Sequence, residues 1–410
     1  MASPVNAARN HKIVVVGGGS AGLAISHQLL KSGKFAAHDI AIVDPAEWHH
    51  YQPGWTLVGG GLKDKEELRR PLNQLLDSKL KLYSQSVDTF SPEQNFVTLA
   101  NGDRLGYDQL IVAPGLTVSP GSIKGLPEAL ANPDAPVSSI FTYDSVSKVF
   151  PSIEKLKKGS AIFTQPAGKI MWLALDYWKR AGLYNPANPS SSAINISFAT
   201  GLPVMFGVPK YNAALTALQK ERGVNALFQH DLVAVEGNKA TFALPNGQSP
   251  VTKEFDFLHV VPKMGSPRNS ALANEAGFVD VDEATTRHKK FANVWSAGDA
   301  SSLPTSKTAA AVTSQAPVLT RNLLQVLEGK QPDAVYDGYT SCPLVTEYGK
   351  VLLAEFKYGP EPKETFGNWF GWDQATPRRA FYHLKKDFFP WVYFNSMVKG
   401  NWAGPKGWLK

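Results

Sequence analysis

The sequence predicts an α/β protein with two Rossmann-like dinucleotide-binding domains, the first discontinuous, and an aromatic, amphipathic carboxyl-terminal region. Three observations predict it. A strand, a glycine-rich turn and a helix open the chain; a second strand–helix–strand series follows without that turn; and a late strand ending in Gly298-Asp299 reads as a return to the first sheet. The expected division is 1–117 with 268–330 for the first domain, 118–267 for the second, and 331–410 for the carboxyl-terminal region.

The opening unit carries the strongest signal. Residues 13–16 are β-branched and suit a buried parallel strand, and Gly17, Gly19 and Gly22 then open an apolar helix. In this GxGxxG turn the first glycine permits the tight turn, the second lets backbone approach a pyrophosphate, and the third lets helix pack on strand. Ser20 and Ala21 start the helix, where free N–H groups meet the diphosphate. An acid closing the next strand should bind the adenosine ribose, and Asp44 after residues 40–43 stands in that place.

Composition sets the bounds. The chain has 410 residues, 43% hydrophobic and 19% charged, which is ordinary for a globular protein of two or three domains. A net charge of +7 allows attraction to anionic surfaces, but no Lys/Arg block or RNA-binding signature appears, so nucleic acid is not expected as a partner. With Cys342 as the single cysteine, neither an intramolecular disulfide nor a cysteine zinc site can form, and no other metal-ligand spacing stands out. No apolar run approaches the roughly 20 residues that span a bilayer. The residues ahead of the first strand are too few for a signal peptide, so a cytoplasmic protein is expected, or a mitochondrial one whose presequence has been removed.

After Asp44, residues 45–61 form a loop rich in aromatics, His, Pro and Gly, leaving the carboxyl end of a strand where doubly wound folds bind ligand; His49, His50, Tyr51 and Trp55 are its candidate pocket residues. A helix is expected over 65–76, strands over 81–87 and 95–99, and a hairpin turn at Asn101-Gly102. The strand over 107–112 ends in the small-residue turn Ala113-Pro114-Gly115. In the second unit a strand at 161–164 and a helix at 171–180 are joined by Gln165-Pro166-Ala167-Gly168-Lys169, where no GxGxxG recurs, and Pro166 has no N–H for a phosphate. Nicotinamide binding is therefore disfavoured. A strand at 194–199, a helix at 211–222 and a strand at 255–261 follow, with His259 as a core histidine. Strands at 278–282 and 294–299 lead to a helix over 305–327, whose first turn, Thr305-Ser306-Lys307-Thr308, should aim N–H dipoles and the Lys307 charge at one point.

Residues 365–410 are dense in Trp, Phe, Tyr, Lys and Arg. Phe381, Leu384 and Phe388 recur at i, i+3 and i+7 beside Arg378, Arg379, Lys385 and Lys386, a pattern that suits a membrane interface over residues 376–410; a subunit contact or a lid on the cofactor is the alternative.

With these residues in hand the chain resembles the eukaryotic type of sulfide:quinone oxidoreductase, a group of two-dinucleotide flavoproteins. The resemblance rests on Ala8-Arg9-Asn10-His11, Tyr51-Gln52-Pro53, Trp55-Thr56-Leu57-Val58-Gly59, Lys169-Ile170-Met171 and Phe206-Gly207-Val208. Longer still are Leu303-Pro304-Thr305-Ser306-Lys307-Thr308-Ala309-Ala310-Ala311 and Tyr336-Asp337-Gly338-Tyr339-Thr340-Ser341-Cys342-Pro343-Leu344-Val345-Thr346. It implies bound FAD, electron delivery to ubiquinone and monotopic membrane attachment. It also implies roles: Ala113 and Gly115 close the first half of the FAD domain, Gly298 and Asp299 hold the ribityl chain, and Lys307 with Thr308 face the flavin edge.

The chain departs from that family at the chemistry. The two cysteines that the resemblance implies beside the flavin fall at Ala300 and within the shortened loop at Gln165-Pro166-Ala167-Gly168, and both thiols are missing. Sulfide needs an electrophilic disulfide to receive it, and alanine offers none. Cys342 matches a cysteine outside the redox pair and reads as structural. The expected activity is therefore that of an FAD-dependent oxidoreductase, with a secondary-metabolism setting, taking a hydride from a small organic substrate directly at flavin N5, with Tyr51, the His49-His50 pair or Lys307 assisting proton transfer and quinone or O2 as acceptor. The competing expectations are a flavin-binding membrane or scaffold protein without turnover, and residual sulfide oxidation.

Overall fold

The computed structural model describes residues 9–164, 168–266 and 270–404. Its first sheet has seven strands. Lys81–Tyr83, Ile40–Val43, Arg9–Val16 and Arg104–Val112 run parallel in that order, and Phe96–Leu99 and Val87–Ser91 add an antiparallel meander. Ile13, Val14 and Val15 are fully buried because the sheet is covered on both faces, which accounts for the unbroken β-branched run. The late strand Val294–Ser296 pairs in parallel with Arg104–Val112, so the chain does return to this sheet. Two side chains fix that return: Trp295 Nε1 donates to Gln109 Oε1 at 2.8 Å, and Ser296 Oγ donates to the Val112 carbonyl at 2.6 Å.

A second sheet contains five parallel strands in the order Val137–Ser138, Phe257–His259, Gly159–Thr164, Ile194–Thr200 and Asn225–Phe228. Its helix Lys169–Arg180 packs on the antiparallel hairpin of Thr340–Glu347 and Lys350–Lys357, which carries Cys342. The former loop expectation at Gln165-Pro166-Ala167 lies outside the described residues, as do residues 1–8, 267–269 and 405–410.

Five expected elements are corrected. Residues 65–76 are not one helix: a 3-10 turn, Lys65–Leu68, gives way to a strand, Arg69–Pro71, paired with Trp48–His50, before a short helix, Leu72–Leu75. Pro71 lacks the N–H that a continuing helix needs. Residues 81–87 split into one short strand, Lys81–Tyr83, and the start of another, Val87–Ser91, and residues 278–282 make only isolated bridges, Val279 to Ala273 and Ser301 and Val281 to His288. The long late helix spans Ala309–Leu327, because Thr308 caps it by accepting from the Ala311 N–H at 3.0 Å; residues 305–308 precede it.

The fifth correction concerns the tail. Helix Arg379–His383, the π-helical turn Leu384–Phe388, helix Phe389–Val392 and the π-helical turn Tyr393–Met397 follow one another. Pro390 has no N–H for the preceding turn and its ring crowds the Lys386 carbonyl, which favours the widened turn. The expected surface stripe does not form: Phe381 is fully buried, packed against Phe366 and Trp372, and Leu384 and Phe388 are half-buried. The tail then lies on the first helix, Ser20–Lys31, where Lys31 Nζ bonds the Lys399 carbonyl and Asn401 Oδ1. Gly400 makes that approach possible, since a Cβ there would meet the Gln28 backbone nitrogen at 2.8 Å. Among the described residues no helix is long and apolar enough to cross a membrane, and no His/Cys/Asp/Glu group could hold a metal ion.

Candidate functional site

A cavity of about 700 Å³ lies where the carboxyl ends of the first sheet's strands, the second sheet, the Cys342 hairpin and the tail come together. Such a crevice at strand carboxyl ends is where open α/β sheets bind ligand. Gly19, Ser20, Ala21, Asp44, His49, Tyr51, Ala113, Gly115, Gly298, Asp299, Lys307 and Thr308 all line it.

Gly17 and Gly22 do not, and their geometry gives them another role. Gly17 has φ +103°, and a Cβ there would lie 2.3 Å from the Ala113 carbonyl oxygen. A Cβ on Gly22 would lie 1.9 Å from the Gly17 carbonyl oxygen, so this glycine sets helix against strand. Gly19 differs: a Cβ there meets nothing within 4 Å, so backbone is presented to open space. No side chain caps the helix at Gly19, leaving the N–H groups of its first turn for an anion. Asp44 is held in place by the N–H groups of Gly18 at 2.6 Å and Ala46 at 2.8 Å.

One hydrogen-bonded chain joins this turn to the tail. His49 Nδ1 contacts the Gly18 carbonyl at 2.9 Å and its Nε2 contacts the Tyr393 hydroxyl at 2.7 Å. A carbonyl only accepts, so Nδ1 carries the proton and Nε2 accepts from Tyr393; Ser20 Oγ, 2.6 Å from the same hydroxyl, then donates to it. Burial lowers the His49 pKa to about 4 and keeps the ring neutral. Tyr51 stacks at an angle on Tyr393, 4.7 Å between centroids, and burial raises its pKa, so its phenol stays protonated.

Also lining the cavity, Lys307 donates from Nζ to the carbonyls of Ser301 at 2.6 Å and Leu303 at 3.2 Å. Two of its three N–H groups are thus spent on the turn ahead of the Ala309–Leu327 helix. Burial lowers its pKa, and the neighbouring Asp299 opposes the shift; Asp299 itself is raised by burial against the pull of Lys307. With Thr308 as cap, the helix begins at Ala309, and Ala309 and Ala310 line the cavity beside Lys307 and Thr308. Gly298, at φ +72°, is anchored by its N–H to Gln315 Oε1 at 2.8 Å. His259 is buried as expected, its Nε2 accepting from the Ile140 N–H at 3.3 Å, and burial lowers its pKa to about 3.

These residues fit FAD. Open space at Gly19, an uncapped helix and a fixed carboxylate match a dinucleotide. His50 Nδ1 and Trp55 Nε1, both on residues lining the cavity, are buried without a partner among the described residues and suit the polar atoms of a bound cofactor. Tyr393, Lys169 and Lys385 line the same cavity and were not singled out as site residues from the sequence; the aromatic tail that hid Tyr393 and Lys385 reads as a surface stripe when only spacing is considered.

Fold and site together define an FAD-dependent oxidoreductase of the two-Rossmann type. Residues 11–152 match the family described as pyridine nucleotide-disulphide oxidoreductase. The Schizosaccharomyces pombe protein named mitochondrial sulfide:quinone oxidoreductase is 45% identical, over 98% of this chain and 93% of its own. The chain belongs to the sulfide:quinone oxidoreductase family. Among solved structures, the sulfide:quinone oxidoreductase of Aquifex aeolicus aligns with TM-score 0.76 at 17% identity, covering 95% of this chain and 92% of that one. A chain in the Tetrahymena thermophila mitochondrial ATP synthase structure aligns with TM-score 0.81 at 23% identity, covering 97% and 98%. Both likenesses are of fold.

Proposed function

We propose that this protein oxidises a small organic molecule in direct contact with its flavin and passes the electrons to a quinone. The observation that carries the reading is the thiol count. A disulfide relay needs two cysteines, and the chain has only Cys342. That residue is buried on the Thr340–Glu347 hairpin strand, and burial raises its pKa, so its thiol stays protonated and is a weak nucleophile.

FAD, when bound, supplies a two-electron acceptor. The chain's own residues hold and shield what meets it. Gly19, the first turn of the Ser20–Lys31 helix and Asp44 serve the dinucleotide; Gly298, Asp299, Ala113 and Gly115 serve the part nearer the flavin, where Lys307 offers its remaining N–H. His49 has both ring nitrogens occupied and acts as a positioning residue, whereas Tyr51, whose buried phenol stays protonated and is a weaker acid for its burial, offers its O–H as a hydrogen-bond donor. Quinone as acceptor and a mitochondrial setting are carried over from the relatives' names. Attachment to a membrane surface is supported by the exposed aromatics Phe370 and Trp391, each 60% exposed.

A second reading, a flavin-binding structural component without turnover, draws on the likeness in fold to a chain of an ATP synthase assembly. An anaerobic spectral titration separates the two. Bleaching of the flavin band by a small organic molecule supports the oxidoreductase reading; an FAD-loaded protein that no organic donor and no NADH bleaches supports the structural one. Bleaching by NADH alone contradicts the argument from the missing second glycine turn.

A further inference from the structure

Three observations converge at one end of the cavity. Lys385 is only 5% exposed, lines the cavity, and has no hydrogen-bond or carboxylate partner among the described residues. Lys169 opens the 12-residue helix Lys169–Arg180, whose N-cap, Gly168, offers no side-chain cap, and it too lines the cavity without a carboxylate partner among the described residues. Cys342, on the strand that this helix packs against, lies beside both lysines. Two cations and the positive end of a helix thus face one place, with no carboxylate paired to either lysine among the described residues.

The surroundings limit what balances them. Ile170, Phe366, Phe389 and Val392 line the neighbouring wall, so an anionic head would carry an apolar body. We infer that Lys385 and Lys169, with the N-terminus of the Lys169–Arg180 helix, form a subsite for the carboxylate of a small organic acid whose apolar part packs against the aromatic tail. The inference rests on the reading that an organic molecule occupies this cavity and names its class.

Charge state sets a pH signature. Burial and Lys169 lower the Lys385 pKa to about 7. Lys169 from the helix and Cys342 from the strand are the titratable groups that face it, while His383, Lys386 and Asp387 of its own segment pair with one another at the surface. A protonated Lys385 attracts the carboxylate, so affinity should be highest below pH 7 and fall as pH rises through it.

The test uses the FAD-loaded protein, with benzoate as probe, benzamide as its neutral isostere and inorganic phosphate as a bare anion, each read by perturbation of the visible flavin spectrum. Expected are binding of benzoate at least 10-fold tighter than benzamide at pH 6, narrowing of that ratio by pH 8.5, and loss of the preference in Lys385→Met with benzamide unchanged. If that variant does not fold, Lys169→Gln provides the same comparison. Equal binding of benzoate and benzamide, binding of neither, or an unaltered preference in both variants overturns the inference; tighter binding of phosphate than of benzoate overturns the organic-acid assignment. A charge preference in a protein that no organic donor reduces would keep the subsite and defeat the oxidase reading, and reduction by an uncharged donor with no charge preference would do the reverse.

Discussion

The Tyr393 hydroxyl donates to His49 Nε2 at 2.7 Å across 344 residues of sequence, tying the carboxyl-terminal tail to the loop beside the glycine turn. Tyr393→Phe leaves a buried imidazole nitrogen and the Ser20 hydroxyl without this partner, at a cost of about 1–3 kcal/mol. The expected result is a lower melting temperature together with faster FAD loss on dilution, read by flavin fluorescence. A variant that melts lower yet keeps FAD as tightly as the parent would show that the link serves folding alone.

Two glycines of the opening turn should fail differently. Gly22→Ala forces a Cβ to within 1.9 Å of the Gly17 carbonyl oxygen, so little folded protein is expected. Gly19→Ala meets nothing within 4 Å and should fold normally, but its methyl group would occupy the approach of the diphosphate. Circular dichroism and FAD content of the two variants check this, and an FAD-replete Gly19→Ala would refute the placement.

Acid should destabilise the fold through two histidines. His49 and His259 have folded pKa values of about 4 and about 3, below the ordinary 6.5. Both bind fewer protons folded than unfolded, so the stability they contribute is complete above pH 6.5 and is lost as pH falls toward those values. Each accounts for about 2 kcal/mol at pH 5. Urea unfolding at pH 7.5 and pH 5 measures the loss, and His49→Gln should reduce the pH dependence.

Lys385 works in the other direction. Its folded pKa, about 7, lies below that of an unfolded lysine, so its burial penalises the folded state at neutral and acid pH and the penalty fades as pH rises from 7 toward 10. Lys385→Met should therefore melt higher than the parent at pH 6 and gain less at pH 9. A lower melting point at both would mean that the ammonium has a stabilising partner.

Membrane binding is best tested with point changes. Phe381, Tyr393 and Val398 are buried in the fold, so deleting the tail would damage the protein itself. Replacing the exposed Phe370 and Trp391 with Ser should release the protein from anionic liposomes with melting unchanged. Undiminished co-sedimentation would refute the attachment.

Much of the fold was legible because its signals are local: a buried run with Gly17, Gly19, Gly22 and Asp44 is set by the backbone of one βαβ unit. What was not legible depends on long-range packing. The helix expected over residues 65–76 is interrupted by a pairing with Trp48–His50 that periodicity cannot register. The stripe through Phe381, Leu384 and Phe388 assumed α-helical spacing, and the π-helical turn Leu384–Phe388 changes which residues share a face. Lys307 was expected to aim its charge, with the N–H dipoles of its turn, at one point, whereas carbonyls only four and six residues earlier take two of its N–H groups. For the same reason Lys385, buried beside Cys342, looked like one more cation of a basic surface.

The central claim is that a single buried thiol leaves the flavin without a sulfur relay, and anaerobic stopped-flow reduction by sulfide tests it most directly. The account predicts no rapid bleaching of the flavin band at millimolar sulfide, with the same trace in Cys342→Ala. Rapid bleaching by sulfide that disappears in Cys342→Ala would contradict it.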